Sequence, residues 1–228
     1  MYALKCDIKK YFYHIDHQIL LQKLRRDIKD SDVICLLENI ITSTDQEYVN
    51  QYIELLITRE TKRLREQKCP DTHRLEELSK IPRYEKGKGL PIGNETSQIL
   101  AIYYLSSLDH YIKEKLHIKC YVRYMDDFIL FHHDKKYLEE CLIKIKEELE
   151  LLKLSLNKKT QIYDLDKGLN FLGYKFVLRN KKLLILLNNQ TKKKIKKKLR
   201  RLKKHHASNY DAVKTSYQGY FQVANTKH

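Results

Sequence analysis

Residues 121–133 read YVRYMDDFILFHH, which sets Asp126 and Asp127 side by side in a run rich in tyrosine, valine, isoleucine, leucine and phenylalanine. Aromatic and β-branched flanks favour strands, so the pattern predicts a hairpin with Met125, Asp126 and Asp127 at or beside its turn. Aspartate suits turns because its side chain hydrogen-bonds its own backbone, and an Asp-Asp pair between strands is by itself an ordinary turn. A third carboxylate, Asp7, closes the first predicted strand in KCDIKKYF, and alone it too would mean little. Three carboxylates at strand ends can hold two Mg²⁺ ions, because hard cations take oxygen ligands and their charge offsets the cost of burying acids in an apolar hairpin. Two such ions about 3.5–4 Å apart would clamp the attacking 3′-hydroxyl and the leaving pyrophosphate of a nucleotidyl transfer.

The elements that must position these acids follow from hydrophobic periodicity. The alternating opening YALKCDIKKYF predicts a strand, and Ile15, Ile19, Leu20 and Leu24 recur at helical spacing after it. Two more helices are predicted, SDVICLLENIIT with Ser31 as its N-cap and VNQYIELLITRETKRLREQ, which Pro70 would end. A polar connector runs to Gly89, and NETSQILAIYYLSSLDHYIKEKL then reads as one apolar helix entered through Gly93 and Asn94. Beyond the hairpin, KYLEECLIKIKEELELLKL carries Leu138, Leu142, Ile145 and Leu149 along one helical face. Short strands QIYDL, NFLGYKFVL and KLLILL follow, then a lysine-rich helix and an aromatic tail, SYQGYFQVAN. This order predicts an α+β fold, an antiparallel sheet with helices on one face.

Forty-five Lys and Arg against 29 Asp and Glu give the 228 residues a formal charge of +16, which points to a polyanionic partner. Ten of the basic residues lie in KKKIKKKLRRLKK, residues 192–204, with no acid among them. Cysteines 6, 35, 69, 120 and 141 are odd in number and widely spaced, which fits reduced thiols rather than a disulfide framework or a metal site. His14 and His17, His132 and His133, and His205 and His206 have no cysteine partners at metal-ligand spacing, and none is assigned to a metal. No apolar run approaches a membrane span and the start has no signal-peptide features, so a cytoplasmic location without membrane attachment is expected.

DIKKYF, GLPIGNETSQ, YMDD, LSLNKKT and FLGY, in that order, resemble the palm motifs of reverse transcriptases, particularly those of bacterial retroelements. The resemblance covers essentially the whole chain and implies an RNA-directed DNA polymerase. It implies Asp7, Asp126 and Asp127 as ligands of two catalytic Mg²⁺ ions, with Mn²⁺ as a substitute. Tyr11 matches an aromatic that lies under the incoming sugar and rejects a 2′-hydroxyl, a role Phe12 could fill instead. In Gly89–Gln98, the resemblance implies that Gly89, Pro91, Ile92, Gly93 and Gln98 approach the nucleotide and template, the glycines because they let backbone come close. LPIGN-TSQ and SYQGYFQVAN look most like diversity-generating retroelement enzymes, and other branches usually carry Gln where this chain has Ile92, which marks Ile92 as a fidelity determinant. Lys159 matches a lysine that protonates pyrophosphate, although NKKT is one residue shorter than the common spacing and Lys158 stands beside it. Phe171, Leu172, Gly173 and Tyr174 resemble a primer grip.

The basic helix follows those motifs and resembles the start of a thumb, so Lys196, Lys197 and Arg200 are expected on the phosphates of the template–primer duplex. Its stripe of Ile195, Leu199 and Leu202 is too thin for lipid insertion but wide enough to dock on a neighbouring helix. The implied organisation is a palm at 1–165, primer-grip strands at 166–190 and a partial thumb at 191–228, with the fingers largely absent. Because Asp7 is so near the start, the sequence reads as a fragment that copies poorly by itself. The implied partners are an RNA template, a DNA or RNA primer, deoxynucleotides and a retroelement accessory protein. The alternative is a catalytically silent RNA-binding protein on the same scaffold, of maturase or abortive-infection kind.

Overall fold

Strand β1 (Tyr2–Asp7) buries Ala3, Leu4 and Cys6 and delivers Asp7 at its end. It belongs to a four-stranded sheet of order β2-β3-β1-β4, formed with β2 (Cys120–Tyr124), β3 (Asp127–His132) and β4 (Gln161–Asp164). The structure is a computed structural model and describes residues 1–67, 71–179, 182–204 and 208–224. Two compact units divide the chain, one of residues 6–128 and 141–160, the other of residues 1–5, 129–140 and the part from Gln161 onward.

The first unit carries most of the helices. A single turn, α1 (Tyr11–His14), precedes α2 (His17–Asp27), whose N-cap Asp16 accepts from the Ile19 N–H; Leu20 and Leu24 are buried as their spacing predicts and Leu21 with them, while Ile19 is half-buried and buried Ile15 lies before the helix. Helix α3 (Ser31–Thr42) is capped by Asp30 and not by Ser31. The Asp30 carboxylate accepts from the Asp32 and Val33 N–H groups, which leaves Ser31 as the first helical residue. Helix α4 spans Glu47–Arg65, and Pro70, expected to end it, lies outside the described residues, as does Cys69.

The polar connector contains a helix, α5 (Thr72–Ser79), whose N-cap Asp71 accepts from the Arg74 N–H. No residue of α5 is buried, and its apolar pair, Leu75 and Leu78, is half-buried and too short a stripe to mark a helix in the sequence. The predicted single helix after Gly93 is three pieces, α6 (Glu95–Tyr104), α7 (Ser106–His110) and a π-helical turn at Tyr111–Lys115. At the break the Lys23 ammonium donates to the Tyr104 carbonyl at 2.6 Å and to Ser107 Oγ at 2.8 Å, satisfying groups that the ladder leaves open. Helix α8 (Lys135–Leu151) buries Leu138, Ile145 and Leu149 of its predicted face, while Leu142 is half-buried and the neighbouring Cys141 is buried in addition.

In the second unit β4 pairs antiparallel with β1, Tyr2 opposite Asp164 and Lys5 opposite Gln161. Strands β5 (Leu169–Phe171), β6 (Tyr174–Arg179) and β7 (Lys182–Leu187) form an antiparallel three-stranded sheet. Leu172 and Gly173 join β5 to β6 with φ of 48° and 85°, the paired positive values of a type I′ hairpin turn. Ala3, Ile129, Leu169 and Phe171 form one core, flanked by Phe131, Tyr163, Leu165 and Phe176. Helix α9 (Asn189–Lys204) docks through its thin stripe as expected: Ile195 is buried with Leu187 and Ala224, and Leu199 packs against that cluster with Tyr217 and Phe221. The aromatic tail is itself a helix, α10 (Tyr210–Val223). Among the described residues no helix is long and apolar enough to cross a membrane.

Candidate active site

Backbone hydrogen bonds gather the acidic residues within the first unit. Asp7 ends β1, Met125 and Asp126 make the two-residue turn between β2 and β3, and Asp127 opens β3. The Ile8 N–H donates to the Asp126 carbonyl at 3.2 Å, which ties the end of β1 to the turn. On the other side of β1 the Asn157 N–H donates to the Asp7 carbonyl at 2.7 Å and the Lys9 N–H donates to Ser155 at 2.9 Å. Asp7, the Asp-Asp turn and the segment before Lys159 are therefore brought together, as the motif order implies. The Asp126 carboxyl is raised above the usual carboxylate range, first by burial and then by the charges of Asp7 and Asp127. The neighbouring Cys6 thiol, buried in the core, is pushed up by burial, with Asp127 and Asp7 adding to it.

Met125 sits at φ 56°, the left-handed region that a non-glycine residue occupies at a cost of about 1 kcal/mol. Arg123 holds it there. The Arg123 guanidinium donates to the Met125 carbonyl at 3.2 Å and to the Ile102 carbonyl at 3.3 Å, while its other N–H groups clamp the Asp109 carboxylate, Nε to Oδ1 at 2.7 Å. The Tyr121 hydroxyl also donates to Asp109, at 2.7 Å. Sequence reasoning missed this brace. Its signal was the charged Arg123 on a strand beside the acids, but Asp109 is 14 residues away on another element.

The loop at Gly89 is fixed from several directions. The Leu90 N–H donates to the Phe12 carbonyl and the Gly89 N–H to that of Ile15, each at 2.8 Å. The Gly89 carbonyl accepts from His17 Nε2 at 2.7 Å and from Thr44 Oγ1 at 3.0 Å. Gly89 has φ +88°, and a Cβ there would lie 2.5 Å from the Tyr84 ring, so only glycine fits. Beyond it Pro91 is half-buried, whereas Gly93, Gln98 and Ile92, the last 60 % exposed, face solvent. Of the two aromatics after Asp7, Tyr11 is a core residue, 2 % exposed, whose hydroxyl donates to the Ala101 carbonyl. Phe12 is half-buried, and its carbonyl is the group bonded to Leu90.

Lys158 and Lys159 are both exposed, and the Lys159 N–H donates to Asn157 Oδ1 at 3.3 Å. In the second unit Phe171 is buried, Leu172 is exposed at the hairpin turn, and Gly173 and Tyr174 are half-buried. Lys196, Lys197 and Arg200 are exposed on α9. Among the described residues no three His, Cys, Asp or Glu side chains are already placed to hold an ion. The donor set at the turn suits a hard divalent cation nonetheless, being carboxylate oxygens whose mutual repulsion, seen at Asp126, a cation would relieve.

The sheet, its helices and the two-residue carboxylate turn define an α+β polymerase palm. A family model described as reverse transcriptase (RNA-dependent DNA polymerase) matches residues 1–176, and the chain belongs to that family. No curated protein matches the sequence. Among solved structures, apo telomerase from Candida tropicalis truncated from the C-terminal domain is similar with a TM-score of 0.52 and 14 % identity, over 80 % of this chain and 35 % of that one. Telomerase from Candida albicans in complex with a TWJ fragment of telomeric RNA aligns with a TM-score of 0.47 and 18 % identity, over 82 % of this chain and 30 % of that one. The chain thus spans about a third of the length of these structures. At this identity the first likeness concerns the fold alone.

Proposed function

We propose that the chain performs RNA-templated, primer-dependent nucleotidyl transfer with deoxynucleotides, using Asp7, Asp126 and Asp127 as a divalent-cation site. The observation that carries this reading is the pairing of Ile8 with Asp126 and of Asn157 with Asp7, which sets three acids close enough for Asp7 and Asp127 to perturb Asp126. Two Mg²⁺ ions, when bound, would neutralise these acids, activate the primer 3′-hydroxyl and stabilise the departing pyrophosphate. Asp7 and Asp126 are the principal ligands, and Asp127 at the start of β3 supports them. Arg123 acts through the Met125 carbonyl and is a positioning residue. Lys159, exposed beside the Asn157–Asp7 bond, supplies a proton to pyrophosphate.

Phe12 is the aromatic that meets the sugar and discriminates against a 2′-hydroxyl, since Tyr11 is held in the core by Ala101. Its backbone link to Leu90 couples that ring to the Gly89–Gly93 loop, where exposed Ile92, with exposed Gln98 on the following helix α6, contacts nucleotide and template. Phe171–Tyr174 grips the primer, and Lys196, Lys197 and Arg200 bind its phosphates. The motif form around Ile92 supports a bacterial retroelement enzyme of diversity-generating type. Extension of a primer on a homopolymer RNA template tests the proposal. It requires Mg²⁺-dependent incorporation of the complementary deoxynucleotide only, abolished by Asp126→Ala with the circular dichroism spectrum unchanged. A folded Asp126→Ala protein that polymerises at the wild-type rate would remove the metal assignment, and RNA binding without any incorporation would favour a silent RNA-binding scaffold.

A further inference from the structure

Helix α9 holds ten Lys and Arg between 192 and 204 and no acid. All of them but the half-buried Lys192 are exposed, because the one apolar stripe is spent on α10 and β7. Such a face binds phosphates without regard to base or strandedness. The residues beside it are of another kind. Tyr220 on α10 is 43 % exposed, although Tyr217 and Phe221 on the same helix pack against the core. Its ring lies within 20° of parallel to that of Tyr174 at 6.3 Å between centroids, and Tyr217 approaches at 6.1 Å and 54°. The Tyr174 hydroxyl donates to the Tyr220 carbonyl at 3.4 Å. The ring is thus ordered beforehand, so stacking on it would cost little conformational entropy. Gly219 adds no side chain next to it, and even a Cβ there would meet nothing within 4 Å. Lys198 Nζ sits 5.5 Å over the Tyr217 ring, so the cationic face and the aromatic cluster are continuous.

We infer that Tyr220, backed by Tyr174, is a stacking platform for an unpaired nucleobase, so that α9 holds phosphates of either form while Tyr220 on α10 adds affinity for a single strand alone. Basic residues along the backbone and an aromatic under the base are the two halves of such recognition. The inference rests on the reading above only in taking a nucleic acid as the partner, and it adds an unpaired base as a ligand of α10.

The test is fluorescence anisotropy with single-stranded RNA carrying 2-aminopurine and with the same strand in a blunt duplex. Tyr220→Ala should weaken single-strand binding by about tenfold or more, leave duplex binding within about twofold, keep the salt slope, and abolish the quenching of 2-aminopurine. Tyr220→Phe, which keeps the ring, should behave as wild type, and Tyr220→Leu, which keeps bulk without the π face, should behave as Tyr220→Ala. Lys196→Glu with Lys197→Glu should weaken both RNAs and flatten the salt slope. Wild-type single-strand binding and quenching in folded Tyr220→Ala or Tyr220→Leu would overturn the platform, as would equal losses on both RNAs. A charge reversal without effect on either RNA would instead remove nucleic acid as the partner, and with it the broader reading.

Discussion

Replacing Arg123 by methionine keeps the bulk of the stem and removes the donors to Asp109 and to the Met125 and Ile102 carbonyls. The Arg123 side chain is 9 % exposed and that of Asp109 30 %, so the substitution strands a largely buried carboxylate whose remaining donor is the Tyr121 hydroxyl. Breaking a buried pair from one side costs about 3–5 kcal/mol, and the partial exposure of Asp109 places this case near 3 kcal/mol. The Met125 carbonyl loses a donor too, while its residue stays at φ 56°, a conformation that must be held by its surroundings. For a chain of this length about 3 kcal/mol corresponds to a melting temperature roughly 6–12 °C lower. Urea unfolding followed by circular dichroism measures it. Arg123→Lys should recover less than half of the loss, because an ammonium cannot make the bidentate fork and reach two carbonyls as well. Adding Asp109→Leu to Arg123→Met removes the stranded charge and should restore much of the stability. A single variant within about 0.5 kcal/mol of wild type, or a double variant no better than the single, would refute the brace.

Asp126→Asn should raise the melting temperature at neutral pH without divalent ions: a carboxyl raised in the fold contributes stability that is lost as pH rises through its folded pKa, and the amide escapes that loss. The same variant should lose stabilisation by added Mg²⁺, and wild-type-like stabilisation would contradict its place at the ion. Lys23, lowered to about 8 by burial and then by Arg26, predicts the opposite slope, with stability rising from about pH 8 toward the ordinary lysine range near 10.5. Lys23→Met should lack that rise in a pH series of urea melts, and an identical rise would show that other groups cause it. Gly89→Ala should cost about 1–3 kcal/mol, since its Cβ meets the Tyr84 ring at 2.5 Å in a left-handed backbone, and a neutral effect would mean that the loop can shift freely.

What could be read from the sequence was whatever local pattern decides. Asp7 at a strand end, the turn at Met125 and Asp126, the buried face of α8 and the docking stripe of α9 follow from alternation and helical periodicity. Elements with weak patterns were hidden. Helix α5 buries nothing, and α10 carries its aromatics around a glycine in what reads as a tail. The break between α6 and α7 depends on Lys23, 81 residues away from Tyr104 in the chain. Periodicity could not show whether Tyr11 or Phe12 faces the core, because both lie in a one-turn helix and the choice is made by the distant Ala101 carbonyl. The Arg123 brace and the His17 and Thr44 bonds to Gly89 are likewise tertiary.

Single-nucleotide incorporation onto a primer annealed to RNA tests the central claim most directly, with wild type, Asp7→Asn and Asp126→Asn compared in Mg²⁺ and in EDTA at matched folding and matched RNA affinity. Three acids acting as one cation site predict incorporation by wild type in Mg²⁺ alone, and a loss on the order of 10³ or more in both variants. Incorporation that persists in EDTA, or that survives undiminished in either variant, would contradict it.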